Sequence, residues 1–241
     1  IDYILLDLYN PLVKYAPLAE SNMTKYLTQW TMDDVESVGL LKIDFLGIRY
    51  LTMVSSIVEQ IKKENPEFDI TKINYKDPKV YNLFAEGRTE GIFQFESSGM
   101  KEKLRLLKPT EFNDIVAMNA LYRPGPMAQI ETYIRRKHGE EKVNYPHPNL
   151  EKILKDTYGV IVYQEQIMLI AVNFAHMSLN EADNMRRAVS KKKKEDLEYY
   201  GRIFIEKSVA AGYDRNVAKS LFDLIVTFAN YGFNKSHAVV Y

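Results

Sequence analysis

Apolar residues in most of the chain recur every three or four positions, the period of an amphipathic helix. Leu51, Val54, Val58 and Ile61 show this spacing first. Further segments with the same spacing follow, and Gly or Pro residues, which stop helices, separate many of them. The pattern therefore predicts a mainly helical chain from about residue 51 onward.

Several of these helices carry start signals in the sequence. Asp77 followed by Pro78 predicts an N-cap with proline in the first turn. Ser178 and Glu181 have the spacing of a capping box, in which each side chain satisfies the other's backbone N–H. We expect helices to begin at both places.

Strict alternation of apolar and polar residues is short and lies near the N-terminus. In residues 41–45, Leu41, Ile43 and Phe45 fall on one face, and Lys42 and Asp44 fall on the other. This predicts a half-buried strand that presents a carboxylate. Extended backbone is also predicted for residues 4–8, 91–96 and 160–163. The predicted fold class is mainly α with a few short strands (α+β).

Composition excludes several classes of protein. The 241 residues are 46% apolar, which is enough to build a core, and they contain no cysteine, so disulfides and thiolate metal sites are excluded. Lys+Arg and Asp+Glu both number 32, so a uniformly basic nucleic-acid binder is not indicated. The sequence starts at Ile1 without methionine, and we expect it to be a piece of a longer chain.

Positive charge is concentrated in one segment. Six of the nine residues from Arg186 to Lys194 are Lys or Arg. Planar guanidinium groups at Arg186 and Arg187 suit phosphate oxygens, and the lysines that follow act as point charges. The alternative is an ordinary solvated charge run, neutralised by the acidic residues at 195, 196 and 198. The sequence leaves both interpretations open.

Three other places carry candidate chemistry. Asp44 on its strand is a possible Mg²⁺ ligand, or a solvated edge residue paired with a neighbouring cation. Arg123 precedes a Pro-Gly-Pro loop that would hold it for bidentate phosphate contact, or it is the solvated end of a helix. In residues 232–237, Phe233 could stack on a base and Lys235 could meet phosphate, unless this is only a helix corner with Phe233 in the core.

Other signals are weak. The histidines are far apart and lack zinc-site spacing, and neither a GxxxxGK[ST] loop nor a GxGxxG motif is present. Glu165, between Gln164 and Gln166, is better interpreted as part of a local polar network than as a general base.

An ordered set of segments resembles the bacterial DNA polymerase III alpha family, the C-family replicative polymerases, over roughly residues 12 to 241. Each segment alone is weak evidence, but together and in this order they are specific. They are LKIDFLG at 41–47, GIFQFES at 91–97, RPGP at 123–126, YGVIVYQEQ at 158–166, MRRA with the lysine run from 185, and YGFNKSHA at 231–238.

The resemblance implies DNA-directed DNA polymerisation, in which deoxynucleotides are added to a primer 3′ end by phosphoryl transfer with two Mg²⁺ ions held by palm aspartates. Asp44 matches one of these catalytic, metal-binding aspartates. The fingers residues that the resemblance implies for nucleotide and phosphate binding are Arg123, Arg186, Arg187, Lys191, Lys192, Lys235, Ser236 and His237. Those implied for DNA binding are Lys193, Lys194, Phe233 and Asn234.

The implied organisation is a small β-containing palm remnant, residues 1–50, attached to a helical fingers region, residues 51–241. Two further catalytic aspartates and a glycine-serine phosphate segment of the family have no match in residues 1–40. We therefore expect the isolated chain to be catalytically incomplete, with Mg²⁺ shared with aspartates outside it.

The expected partners are primer-template DNA and deoxynucleoside triphosphates. Other replisome subunits, such as the sliding clamp, would bind through regions not present here. No membrane association is expected, and the expected location is the bacterial cytoplasm, near the nucleoid. The alternative function is a non-catalytic helical module that binds nucleic acid.

Overall fold

The structure is a computed structural model that describes residues 2–6, 11–20, 27–45, 49–191, 194–229 and 231–241. Within these ranges, the side chains of residues 2–6, 32, 41–45 and 191 are not described. The chain divides into two compact units, residues 1–72 and 73–241.

The first unit contains two small antiparallel sheets. Strand β1 (Asp2–Leu6) pairs with β4 (Leu41–Phe45), and Asp44 lies opposite Tyr3. The pairing confirms the strand predicted at residues 41–45, and the strand predicted at residues 4–8 begins earlier, at Asp2. The remaining elements are β2 (Leu18–Ala19), β3 (Leu27–Thr28), α1 (Met32–Ser37) and α2 (Arg49–Glu64).

The second unit is built mainly from helices, and most of the residues that the structure describes are helical, which confirms the mainly α prediction. The helices of this unit are α3 (Pro78–Ala85), α4 (Ser98–Leu107), α5 (Phe112–Leu121), α6 (Ile130–Lys137), α7 (Glu151–Leu154), α8 (Gln164–Ala175), α9 (Leu179–Lys191), α10 (Lys194–Ala210), α11 (Arg215–Ala229) and α12 (Lys235–Val240). Within the described ranges, no helix has the length and apolar character needed to cross a membrane.

Two hydrophobic cores meet at the extended segment 160–163. Val160 and Val162 belong to a core with α4, α5 and α6, whereas Ile161 belongs to a core with α8, α9, α10 and α11. This division follows from the period of two in extended backbone, which sends alternate side chains to opposite sides. The segment therefore joins the two halves of the second unit and fixes the start of α8.

The predicted helix starts are confirmed. Asp77 caps α3 by accepting from the Lys79 N–H at 2.9 Å. Ser178 and Glu181 form the predicted capping box, with the Ser178 N–H donating to Glu181 Oε2 at 2.8 Å and the Glu181 N–H donating to Ser178 Oγ at 3.3 Å.

The extended backbone predicted at residues 91–96 is wrong. This segment is a series of turns, with positive φ at Gly91 (74°) and Gln94 (67°). The turns are held by side-chain hydrogen bonds to the backbone, because the Gly91 N–H donates to Glu96 Oε1 at 2.8 Å and Thr89 Oγ1 donates to the Phe95 carbonyl at 2.5 Å. Aromatic residues at alternate positions gave a strand-like pattern, but these contacts fold the backbone back on itself.

Candidate functional site

A pair of backbone hydrogen bonds brings the start of α8 beside the segment that precedes α12. The Phe233 N–H donates to the Val162 carbonyl at 3.0 Å, and the Gln164 N–H donates to the Phe233 carbonyl at 2.9 Å. These bonds form a parallel bridge between Tyr163 and Phe233. Two of the sequence motifs that carry the family resemblance, residues 158–166 and 231–238, are therefore adjacent in space.

Arg123 joins the same place from the end of α5. Its Nε donates to the Ala120 carbonyl at 2.9 Å, and its Nη2 donates to the Tyr231 carbonyl at 2.8 Å. Its guanidinium carbon lies 4.3 Å from the centroid of the Phe233 ring, which is a cation–π contact. Burial lowers the pKa of Arg123, although an arginine stays charged at neutral pH.

The loop after Arg123 needs a glycine for this approach. Gly125 has φ 102°, and a Cβ atom there would clash with the Tyr231 ring. Both facts favour glycine, because it alone adopts this backbone without strain and leaves room for the ring. The Arg-Pro-Gly-Pro segment thus holds Arg123 and Tyr231 against each other.

Glu165 and Asn234 set the start of α12. The Lys235 N–H donates to both carboxylate oxygens of Glu165, at 3.1 and 3.0 Å. Asn234 Oδ1 accepts from the His237 N–H at 2.8 Å and caps the helix. Glu165 therefore takes part in a local polar network, as its sequence context indicated.

The Lys235 side chain has no acidic partner in the part of the chain that the structure describes. Its Nζ lies 5.3 Å from the centroid of the Tyr163 ring. Among the residues that the structure describes, no carboxylate is within salt-bridge distance of Lys235 or of Arg123. Both cations therefore retain charge that an anionic ligand would compensate.

Arg186 reaches the same region from α9. Its Nη1 donates to Gln164 Oε1 at 3.3 Å, and its Nη2 donates to Asp183 Oδ1 at 2.7 Å. Arg187 pairs with the other oxygen of Asp183 at 2.7 Å, and 65% of its side chain is exposed. The hydrogen bond from Arg186 is the largest cause that lowers the pKa of Asp183, with a smaller contribution from Arg187.

We call the residues joined by these contacts the Phe233 site. Its members are Arg123, Gln164, Arg186, Phe233 and Lys235. Three cations from three separate sequence segments each contact a residue at one backbone bridge: Arg123 contacts Phe233, Lys235 contacts Tyr163 and Arg186 contacts Gln164. Arg123 and Lys235 have no carboxylate partner among the described residues. Such an arrangement can hold phosphate oxygens with a planar guanidinium and a mobile ammonium group.

The other predicted residues lie in different settings. Ser236 and His237 are exposed at the start of α12, and the His237 ring lies 5.3 Å from that of Phe233. Lys194 is 89% exposed and its Nζ is 3.9 Å from Glu198. Lys191 ends α9 without a described side chain, and the predictions for Lys192 and Lys193 fall outside the described residues.

Residues 50–212 match the family model of the bacterial DNA polymerase III alpha subunit finger domain. The chain belongs to this family. Residues 4–47 match the family model of the bacterial DNA polymerase III alpha NTPase domain. These matches confirm the family resemblance that the sequence motifs indicated.

Known members of the DNA polymerase III alpha family resemble nearly the whole chain. It is 55% identical over 232 residues to DNA polymerase III subunit alpha of Bacillus subtilis (strain 168), which is 96% of this chain and 21% of that relative. It is 53% identical over 233 residues to DNA polymerase III subunit alpha of Staphylococcus aureus (strain COL), with 96% and 22% covered. The chain thus spans about a fifth of the length of these relatives.

The DNA polymerase III alpha family implies a divalent metal. Across the described ranges, no three His, Cys, Asp or Glu side chains form a cluster, and Mg²⁺ usually takes only one or two protein carboxylates. Asp44 lies on β4, but its side chain is not among those described. We therefore derive no step through a metal, and the metal role of Asp44 stays a prediction.

Sequence reasoning missed two residues that shape the Phe233 site. Asp183 pairs with Arg186 and Arg187, and its position three and four residues before them is a helical ion-pair signal that was available. Gln164 links Arg186 to the Phe233 backbone, and no local pattern indicates this, because its partners are distant in sequence.

Proposed function

We propose that this chain is part of a template-directed DNA polymerase and that the Phe233 site binds the phosphates of the incoming deoxynucleoside triphosphate. In this reaction the primer 3′ oxygen forms a bond to the α-phosphorus, and the bond from that phosphorus to the pyrophosphate oxygen breaks. Negative charge grows on the leaving group, and fixed cations lower the energy of that state.

The convergence of Arg123, Arg186 and Lys235 carries this proposal. A guanidinium can hold two phosphate oxygens at once, whereas the lysine ammonium supplies a compact charge. Lys235 is the most available of the three, because Arg186 pairs with Asp183 and Arg123 donates to the carbonyls of Ala120 and Tyr231. Arg186 would exchange its contact with Asp183 for phosphate.

Arg123 has a different role in this proposal. Two of its guanidinium nitrogens are already bonded to the carbonyls of Ala120 and Tyr231, and its flat face covers Phe233. It would therefore hold the loop and the ring in place and add positive charge to the site. Ser236 and His237, exposed one and two residues beyond Lys235, would supply further hydrogen bonds.

We extend the proposal to DNA through the exposed residues around the Phe233 site. Arg187 and Lys194 are exposed, and cations placed in this way follow a phosphate backbone with strong salt dependence. Asn234, exposed as well, would add a hydrogen bond. Lys193 and the Phe233 ring are proposed for the same DNA contact, and Lys191 and Lys192 are proposed for the phosphates of the nucleotide. Such a polymerase would work in the cytoplasm, and other parts of it would engage the sliding clamp.

Nucleotide binding tests the proposed role of the site. We expect Lys235→Met and Arg186→Met each to weaken dATP binding to this chain by about tenfold, because a charge-assisted hydrogen bond contributes roughly 1.5 kcal/mol at the lower end of its range. Isothermal titration calorimetry at low salt would measure it. Lys219→Met, at an exposed position on α11, is the matched control and should bind like the original chain.

Three results separate the possibilities. Selective weakening by the two site variants supports nucleotide binding. Equal affinity in all three variants contradicts it. Weak dATP binding together with tight, salt-sensitive binding of single-stranded DNA would favour a nucleic-acid-binding module without chemistry.

Asp44 is proposed separately as one carboxylate of the polymerase's metal site. In the full-length polymerase, Asp44→Asn keeps the shape of the side chain and removes its charge. We expect primer extension to collapse while primer-template binding, measured by fluorescence anisotropy, persists. Undiminished extension would show that Asp44 has no part in the chemistry.

A further inference from the structure

The segment that leads into α12 is tied to other parts of the second unit at three points. The first is the backbone bridge at Phe233, and the second is the Tyr231 carbonyl, which accepts from Arg123. The third is Glu165, whose carboxylate accepts from the Lys235 N–H. Of these three contacts, only the one from Glu165 holds the backbone of the residue that carries the ammonium group.

Helix α12 depends on such contacts because it is short. It has six residues, and a helix of that length has little stability of its own. Lys235 is its first residue, so the Lys235 N–H is one of the amides that the helix itself leaves without a partner. Both carboxylate oxygens of Glu165 accept from this N–H, at 3.1 and 3.0 Å, across 70 residues of sequence. The contact therefore fixes the place at which α12 begins.

Glu165 holds the Lys235 backbone without neutralising the Lys235 side chain. In the described part of the chain, no salt bridge joins Lys235 Nζ to Glu165, and Nζ lies instead 5.3 Å from the centroid of the Tyr163 ring. Glu165 is in the first turn of α8, where the positive end of the helix dipole stabilises a carboxylate. Its negative charge is thus partly offset by α8, and the charge of Lys235 remains available to an anionic ligand.

We infer that Glu165 is a positioning residue for nucleotide binding, which fixes the Lys235 backbone so that the Lys235 ammonium lies where the phosphates bind. This inference rests on the proposed function of the Phe233 site. Glu165 touches no phosphate in this role, because its carboxylate would repel one. Its contribution depends on the reach of its side chain to the Lys235 N–H, and its charge is not required.

Two substitutions separate the reach of the Glu165 side chain from its charge. Glu165→Gln keeps the length and an acceptor oxygen for the Lys235 N–H but removes the negative charge. Glu165→Asp keeps the charge but is one methylene shorter, so its carboxylate falls short of the N–H. Glu131→Asp is the matched control for the shortening, because Glu131 is exposed and holds the same second position in α6.

Steady-state primer extension by the full-length polymerase measures the effect. We expect Glu165→Asp to raise the KM for dATP by about three- to tenfold, with kcat changed less than about twofold, because it is phosphate binding that is weakened. Glu165→Gln and Glu131→Asp should leave the KM within about twofold of the original value. Native-state hydrogen exchange should find the Lys235 amide protected in the original protein and in Glu165→Gln, and exchanging faster in Glu165→Asp.

The double variant that combines Glu165→Asp with Lys235→Met shows whether the effect acts through Lys235. We expect its KM to equal that of Lys235→Met alone, because the position of this backbone no longer matters once the ammonium is gone. A general loss of structure would instead raise the KM of the double variant by the same factor as Glu165→Asp does by itself. That result would overturn the inference.

The results also distinguish this inference from the proposed function. An unchanged KM in Glu165→Asp, while Lys235→Met raises it, overturns the inference and leaves the proposed nucleotide site in place. An unchanged KM in Lys235→Met removes the proposed site and this inference with it. A rise in KM as large in Glu165→Gln as in Glu165→Asp overturns the inference, because reach alone would not explain it. Should Glu165→Asp fail to fold, as judged by circular dichroism, Glu165→Ala takes its place, since alanine also offers no acceptor to the Lys235 N–H.

Discussion

Two groups of charged residues in the second unit differ in how completely they are neutralised. Lys137 Nζ lies 2.8 Å from Asp114 Oδ2, and their side chains are 7% and 0% exposed. Asp114 also accepts from the Thr110 N–H at 2.9 Å. In the Phe233 site, by contrast, Arg123 and Lys235 have no carboxylate partner among the described residues.

The difference separates a structural use of charge from a binding use. The Asp114–Lys137 pair is buried and each of its charges has a partner. It therefore joins α5 to α6 and leaves no charge available to a ligand. The Phe233 site keeps unpaired cations at a partly open surface, which favours an anionic ligand. Substitutions in the two groups should therefore affect different properties.

The largest expected effect is on stability. Lys137→Met leaves the Asp114 carboxylate buried without its counter-ion, and we expect it to lower the free energy of unfolding by about 3–5 kcal/mol. Urea denaturation would measure the loss. Lys207→Met removes the exposed Lys207–Glu181 pair, which has the same 2.8 Å separation, and should cost below about 1 kcal/mol. Equal losses in the two variants would contradict the comparison.

A smaller effect on stability and a selective effect on binding are expected at Arg123. Arg123→Lys keeps the charge but cannot reproduce both carbonyl contacts and the stacking on Phe233. We expect a loss of about 1–2 kcal/mol in unfolding free energy and a several-fold weaker affinity for dATP. Calorimetry of both quantities checks this. Unchanged dATP affinity would mean that the loop and ring need no anchoring for binding.

A substitution at Asp183 should strengthen nucleotide binding, whereas the substitutions above weaken binding or stability. Asp183→Asn removes the carboxylate that competes with phosphate for Arg186 and Arg187, so we expect dATP affinity to rise roughly threefold to tenfold at low salt. The gain should shrink in high salt as the charges are screened. Asp223→Asn, at an exposed position on α11, is the control. Weaker dATP binding in Asp183→Asn would show that this carboxylate mainly orients the arginines.

The smallest expected effect is the pH dependence of the exposed pair. The hydrogen bond from Lys207, followed by those from Ser178, lowers the pKa of Glu181 to about 2. A folded-state pKa below the unfolded value adds stability above the unfolded pKa, and this stability is lost as pH falls toward the folded pKa. The difference in stability between the original chain and Glu181→Gln should therefore be full at neutral pH and shrink between about pH 4.5 and 2.

Thermal unfolding at several pH values would measure that difference. The Glu181 side chain is 42% exposed, so solvent screening keeps the effect below about 1 kcal/mol. A difference independent of pH over this range would show that the Glu181 pair does not contribute through its charge.

Local signals in the sequence predicted local structure well. The caps at Asp77 and Ser178 depend on neighbours two or three residues away, and the alternation that predicted the strand at residues 41–45 is local too. The structure confirms all three, although the strand pairs with the distant β1. Residues 91–96 were predicted wrongly because their turns depend on contacts from the side chains of Thr89 and Glu96 to the backbone. A pattern of apolar alternation does not include such contacts.

Contacts across long sequence separations could not be predicted from spacing. Arg123 and Tyr231 are 108 residues apart, and Asp114 and Lys137 are 23 residues apart, so no helical period links either pair. The family resemblance named Arg123, Arg186 and Lys235 as phosphate-binding residues, but it did not indicate the bridge at Tyr163 that brings them together. Only the packing of the two cores on either side of residues 160–163 determines that bridge.

Steady-state primer extension by the full-length polymerase carrying Lys235→Met is the most direct test of the proposed role of the Phe233 site. The account predicts that the KM for dATP rises by about tenfold, the effect of one lost charge-assisted contact, while affinity for primer-template DNA is unchanged. An unchanged KM, with kcat also unaffected, would contradict it and would leave Lys235 as a surface residue without a part in nucleotide binding.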